Sequence, residues 1–166
     1  MNPHAQSAGS PRTSLSAWQR IRSHLPWIAN RSSDQARLAA IVDSSDDAII
    51  AKSLDSTVTA WNAGAERLFG YRREEILGRP VTVLFPADRV AEESAIMERI
   101  AQGERVEHFE TVRCRKDGTT VDVDVTISPL YGPGGGVIGA SKIARDITAR
   151  KHAEKQIREQ EELLNL

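Results

Sequence analysis

The sequence predicts an α+β domain: a five-stranded antiparallel sheet with helices on one face, flanked by an N-terminal and a C-terminal helix. Three observations predict it. The segment "TVDVDVTIS" alternates, with Val121, Val123, Val125 and Ile127 on one side and Asp122, Asp124, Thr126 and Ser128 on the other. That is the pattern of a half-buried antiparallel strand. The strand-like runs are joined by tight turns such as "KDGT" and "YGPGGG", so neighbours in sequence pair antiparallel. Short helical runs cluster between two such runs and three others, and helices so placed must cover one face of the sheet.

The 166 residues suffice for one domain with a working core, since chains of about 150 residues bury roughly 70% of their unfolded surface. Composition is ordinary, 40% hydrophobic and 27% charged with a formal net charge of −1, and nothing in it points to nucleic acid. The charge is uneven. Residues 1–33 hold Arg12, Arg20, Arg22 and Arg31 and no acid, a net +4, which leaves −5 for the remainder. The single cysteine, Cys114, excludes an internal disulfide and fits a reducing cytosol. No apolar run approaches the roughly 20 residues of a membrane span, and no apolar core marks a signal peptide. The acid-free N-terminus leaves a transit peptide as a minor alternative to the expected cytoplasmic location.

Residues 1–14 are small and polar and are expected to be disordered. Residues 15–35 read as a helical extension. Within it Trp18, Ile21, Leu25 and Ile28 are spaced 3, 4 and 3 apart, one helix face, and Pro26 should kink or end the helix. That face packs on its own domain or on a dimer mate, or else lies on a membrane surface. "SSDQARLAAIV" reads as a second helix, capped by Ser33 or Asp34, with Leu38, Ile41 and Val42 as its buried stripe.

The central domain is taken as residues 36–148. "AIIAK" and "TVTAW" are short strands joined by the turn "SLDS". "NAGAERLFG" is a helix with Asn62 as N-cap and Gly70 as C′ residue, and "REEILG" repeats the arrangement up to Gly78. "PVTVLFP" is apolar between Pro80 and Pro86. "ADRVAEESAIMERIAQG" is a helix with Val90, Met97, Ile100 and Ala101 towards one side, closed by Gly103. "RVEHFETVRCR", "TVDVDVTIS" and "VIGASKIARDI" are the remaining strands, and residues 149–166 are a closing helix.

Three motifs, W-N-x-x-A-E-R-L-F-G-Y, K-D-G-x-x-x-x-V and R-D-I-T-x-R-K, stand in this order along the chain. Together they resemble a PAS domain of the bacterial sensor type, over about residues 36–152. One departure is Ser56, where such domains often have glycine; Asp55 can still build that turn through its side chain. The resemblance implies a small sensing module. Some members bind haem, flavin or metabolites between sheet and helices, and others mainly dimerise. A fold does not fix which.

The residues argue against most cofactor chemistry, and none is predicted. Light-sensing relatives carry a reactive Cys in a G-x-N-C-R-F-L-Q segment. Here the run is "GRPVTVLF", so Pro80 and Val81 replace Asn and Cys, and Val81 offers no thiol for a flavin adduct. Haem-binding relatives place a His on the helix after an Asp-Arg pair. Here Asp88-Arg89 is followed by Glu92, and residues 87–103 hold no His. His4, His24, His108 and His152 are dispersed without metal-ligand spacing, so no metal is expected. Glu92 and Glu93 have no visible partner and read as a solvated face; Cys114 reads as a structural thiol. "GPGGG" lacks the Lys-Ser/Thr of a phosphate loop. Val83, Leu84, Met97, Ile100, Val123, Val125 and Ile127 would face one another between helices and sheet. They form a filled core, or the walls of a small-molecule pocket.

The output end is read partly from the resemblance, which makes Asp146-Ile147-Thr148 the coupling between core and following helix. Asp146 and Thr148 can both cap that helix, and Arg145 can pair with an acid nearby. Beyond them Ala153, Ile157, Gln160 and Leu164 are spaced 4, 3 and 4 apart, a seam of just over one heptad. No Gly or Pro closes the helix at Leu166, which suggests that it continues in a longer protein. The expectation is a homodimeric sensory module without catalytic residues, signalling in cis to a histidine-kinase domain. The alternatives are a metabolite or noncovalent-flavin receptor, or the sensory part of a cyclic-dinucleotide enzyme. Neither nucleic acid nor membrane is an expected partner.

Overall fold

The computed structural model describes residues 26–165, with side chains from residue 32 onward. The chain divides into two units, Met1–Ala39 and Ala40–Leu166, and the sheet lies in the second.

Helix α1 spans Pro26–Asp43 without a break. The helix expected over SSDQARLAAIV is present, but it starts earlier, and Ser33 and Asp34 lie in its interior rather than at its N-cap. Ser and Asp in an exposed helix interior cost only a few tenths of a kcal/mol, too little to end a cooperative element. The stripe of Leu38, Ile41 and Val42 is also corrected: these side chains are 62%, 59% and 37% exposed. Trp18, Ile21, Leu25 and the expected disorder of residues 1–14 lie outside the described residues, as does the side chain of Ile28.

Strands β1 (Ala48–Ser53) and β2 (Val58–Trp61) form a hairpin. Asp55 builds its turn by accepting the Thr57 N–H at 3.2 Å and the Ser53 hydroxyl, while Ser56 takes a φ of 65°. This is the device expected in place of glycine. Helix α2 (Ala63–Phe69) follows, with Asn62 accepting from Ala65 N–H at 2.8 Å and Gly70 in the left-handed region at φ 80°. Helix α3 (Arg73–Ile76) and two 3₁₀ turns, Val81–Leu84 and Ala87–Arg89, carry the chain to α4 (Ala91–Ala101). Strands β3 (Val106–Cys114), β4 (Thr120–Tyr131) and β5 (Val137–Asp146) complete the sheet, and helix α5 (Thr148–Leu164) follows.

The sheet order is β2-β1-β5-β4-β3, all antiparallel. The last strand thus inserts beside the first, with β2 on the outer side of β1 and the β3–β4 hairpin on the outer side of β5. Val121, Val123, Val125 and Ile127 are buried, as alternation required. They pack with Ile50, Trp61, Phe69, Leu84 and Ile100 in one apolar core. Trp61 lies 5.6 Å from Phe69 between ring centroids, and its Nε1 donates to Tyr71 O at 3.0 Å. Helix α4 turns inward a face that only partly matches the expected one: Ile100 is buried and Met97 packs half-buried against the core. Val90 and Ala101 are exposed, while Glu93, Ile96 and Ile100 are buried. The spacing 93, 96, 100 is itself a helix stripe, and it carries a carboxylate inward.

Candidate functional site

The inward face of the sheet is not wholly apolar. On β1, Ile50 and Lys52 alternate inward; on β5, Ala140, Lys142 and Ala144; on β3, Thr111 and Arg113. Period 2 fixes this, since each of these residues lies two positions from another on the buried face. Lys52 and Lys142 are 1% exposed and Arg113 is fully buried. Opposite them, α4 lowers Glu92 and Glu93.

Two of these three strand cations form ion pairs. Lys52 Nζ lies 2.5 Å from Glu93 Oε1, which also accepts the Ser56 hydroxyl at 2.6 Å. Arg113 Nη1 donates to Glu92 Oε2 at 2.9 Å, to Thr111 Oγ1 at 3.0 Å and to Val112 O at 2.8 Å. Thr111 Oγ1 donates to Glu92 Oε2 at 2.9 Å, and Arg89 Nη1 reaches Glu92 Oε1 at 3.0 Å. The reading of Glu92 and Glu93 as a solvated face is thereby corrected: they neutralise cations brought inward by the strands.

The third cation is different. Lys142 lies across from Ile50 on one side and Ile127 on the other. It has no hydrogen-bond or ion-pair partner among the described residues, and its ammonium lies 5.5 Å from the centroid of the Phe85 ring. Arg113 Cζ stacks on the same ring at 3.8 Å. Three polar atoms near the cluster are buried and unpartnered: Arg113 Nε, Arg113 Nη2 and Glu93 Oε2. Burial pushes the Lys142 amine well below its ordinary range, with further repulsion from Arg113 and Lys52. Burial also lowers Lys52 and Arg113, against the pull of Glu93 and Glu92 respectively. Burial of Glu92 would raise its carboxyl, but hydrogen bonds from Arg113, Thr111 and Arg89 outweigh it and hold the group below the usual range.

The seven apolar residues read from the sequence are gathered beside this cluster. Leu84, Ile100, Val123, Val125 and Ile127 are fully buried, and Val83 and Met97 pack against them half-buried. Sequence reading missed Lys52, Thr111, Arg113 and Lys142, although the alternation of their strands already placed them inward.

At the output end, Arg145 grips Asp47 with two bonds, 3.1 Å from Nε and 2.8 Å from Nη2, which raises its own affinity for the proton. Asp146 Oδ1 accepts the Thr148 N–H at 2.8 Å in the turn that enters α5, whose N-cap position is held by Ile147 and not by Asp146 or Thr148. Ile147 is buried, and its N–H donates to Asp122 O at 3.0 Å. Glu110 on β3 accepts from Arg150 and pairs with Lys151 at 3.1 Å. Ala153, Ile157, Gln160 and Leu164 are exposed, Ile157 at 57% and Leu164 at 85%. His108 is exposed beside a bulge in β3, paired with Asp124 at 3.2 Å, and Cys114 is a half-buried free thiol. No described helix is long and apolar enough to cross a membrane.

A five-stranded antiparallel sheet in this order, with helices over one face, defines an α+β module, and comparison gives its family. The family described as the PAS fold matches residues 36–147, and the chain belongs to it. It is 31% identical over 126 residues to the signal transduction histidine-protein kinase AtoS of Escherichia coli, covering 76% of this chain and 20% of that protein. It is 40% identical over 104 residues to two-component system protein A of Emericella nidulans, covering 61% of this chain and 15% of that one. The chain thus spans a fifth or less of these two relatives' length. Among solved structures, a PAS domain from Colwellia psychrerythraea superposes with a TM-score of 0.63 at 30% identity, covering 69% of this chain and 98% of that one.

Proposed function

We propose that this PAS domain senses and dimerises, and that it relays its state through α5 to a histidine-kinase domain in the same cytoplasmic polypeptide. The domain itself carries no catalysis in this reading. One observation carries it: the first turn of α5 is fastened to the sheet, while the apolar residues further along α5 are left uncovered. Asp146, Ile147 and the Glu110 pairs make the fastening. Ile157 and Leu164 are the uncovered positions, and with Ala153 and Gln160 they form a short seam for a second copy. A change in the sheet then alters the geometry of paired helices, and a bias of a few kcal/mol between two arrangements suffices to switch an output. Kinase relatives support the output assigned. Sedimentation equilibrium of the chain and of an Ile157→Lys, Leu164→Lys variant tests the seam. The variant should be monomeric at concentrations where the parent is dimeric; a dimer that persists refutes the coiled-coil route.

A further inference from the structure

We propose that Lys142 is a proton switch: taking up a proton draws Glu93 from Lys52 towards Lys142, shifts α4 against the sheet and so moves the β3 tether of α5. The proposal rests on the sensory reading above and gives it a signal, the proton.

The charge count on the inward face carries it. Lys52 comes from β1, Arg113 from β3, Lys142 from β5, and Glu92 and Glu93 from α4. From β4, the residue across from Lys142 is the apolar Ile127. Arg89, in the turn before α4, bonds Glu92, and with 40% of its side chain exposed it keeps its charge in solvent. Lys52 is matched by Glu93 and Arg113 by Glu92. The buried groups are therefore balanced while Lys142 is neutral, and hold one cation too many once it is charged. Burial favours the neutral amine, Arg113 and Lys52 repel a charged one, and Glu93 and Glu92 attract it.

The same geometry says where a proton leads. Glu93 holds Lys52 and Ser56 through Oε1, while its Oε2 is buried and unpartnered. Lys142 has no hydrogen-bond or ion-pair partner among the described residues. An unmatched ammonium and a half-used carboxylate attract strongly where burial limits screening. A neutral amine lacks that pull. The arrangement with Glu93 at Lys142 holds the proton more tightly, so falling pH populates it. A tenfold difference in proton affinity changes the ratio of the two arrangements by up to about tenfold. Helix α4 carries the change outward, because Glu92, next to Glu93, bonds Arg113 and Thr111 of β3. Glu110, next to Thr111, holds Arg150 and Lys151 of α5.

Isotope-edited NMR of the full chain tests this, over a pH range that ends at 10.5, the ordinary lysine value. The Lys142 side-chain signal, identified by its loss in Lys142→Met, should titrate well below 10.5. The amides of Glu93, Thr111 and the first two turns of α5 should move with the same midpoint. That component should be lost in Lys142→Met, in which His108, His152 and the surface lysines still titrate. In Glu93→Gln, which keeps the shape and loses the counter-charge, the Lys142 midpoint should fall and the α5 component should vanish. Circular dichroism checks that each variant is folded. A Lys142 that stays charged up to 10.5, or one that never titrates while the chain is folded, would overturn the proposal. So would movement that stops at Thr111, or α5 amides that move alike in the parent and Lys142→Met. The α5 seam is read by sedimentation at one pH, so the dimeric relay can stand or fall separately.

Discussion

Lys142 occupies a position where its neighbours across the sheet are isoleucines, and its amine costs the fold stability. Charging it requires taking an ammonium out of water without a carboxylate beside it, a penalty of several kcal/mol per ion before relaxation. The consequence has a definite sign. The folded-state pKa lies below the 10.5 of the unfolded chain, so the unfolded state binds more protons between the two values. Stability therefore rises with pH across that interval and is lowest below the folded value. Lys142→Met should stabilise the protein at neutral pH, by about 1–2 kcal/mol. The gain should shrink as pH climbs towards 10.5, a trend that urea unfolding at several pH values measures directly. A destabilised variant at pH 7 would show that the amine has a partner after all. The position was legible in principle: Ala140, Lys142 and Ala144 keep one face by period 2. Reading by residue type sends lysine outward, because it is almost never fully buried. The same habit sent Glu93 outward, although it lies three and seven residues before Ile96 and Ile100.

Elements were read best where local chemistry decides them. The turn at Asp55, the Asn62 cap and Gly70 are set by a few neighbouring atoms, and the structure has each. Helix α1 was misread because its exposed apolar residues, Ile41 and Val42, look buried to any pattern argument. Close packing between elements was invisible as well. A Cβ on Gly139 would lie 2.3 Å from Lys52 O and 3.3 Å from Ser53 Cα, so β5 approaches β1 closer than any side chain permits. Backbone cannot retreat cheaply in the middle of a sheet. Gly139→Ala should cost about 1–3 kcal/mol through overpacking and displace the strand that carries Lys52. Gly134→Ala is the matched control, because nothing lies within 4 Å of its added methyl; it should stay within about 0.5 kcal/mol. Equal denaturant midpoints for the two variants would remove the close approach as an energetic feature.

At the scale of the Ala40–Leu166 unit, the interior cluster and the output helix meet on one strand. Thr111 faces inward and hydrogen-bonds Glu92 of α4; Glu110, its neighbour, faces the other way and holds Arg150 and Lys151 of α5. Consecutive strand residues point to opposite faces and share one backbone. A displacement of β3 by the cluster is therefore a displacement of the α5 tether. Intermediacy in space does not demonstrate coupling, and a thermodynamic cycle does. Thr111→Val removes the hydroxyl that Glu92 uses and leaves the tether intact. Glu110→Ala removes the tether and leaves the cluster intact. Amide hydrogen exchange in α5 is the readout, since it reports opening of that helix alone. Thr111→Val should speed exchange in the first two turns of α5, and Glu110→Ala should speed it more. In the double variant Thr111→Val should add little, because the strand no longer has the carboxylate through which to act. Independent, additive effects would mean that the cluster reaches α5 by another path, of which the Ile147 N–H bond to Asp122 on β4 is the next to test.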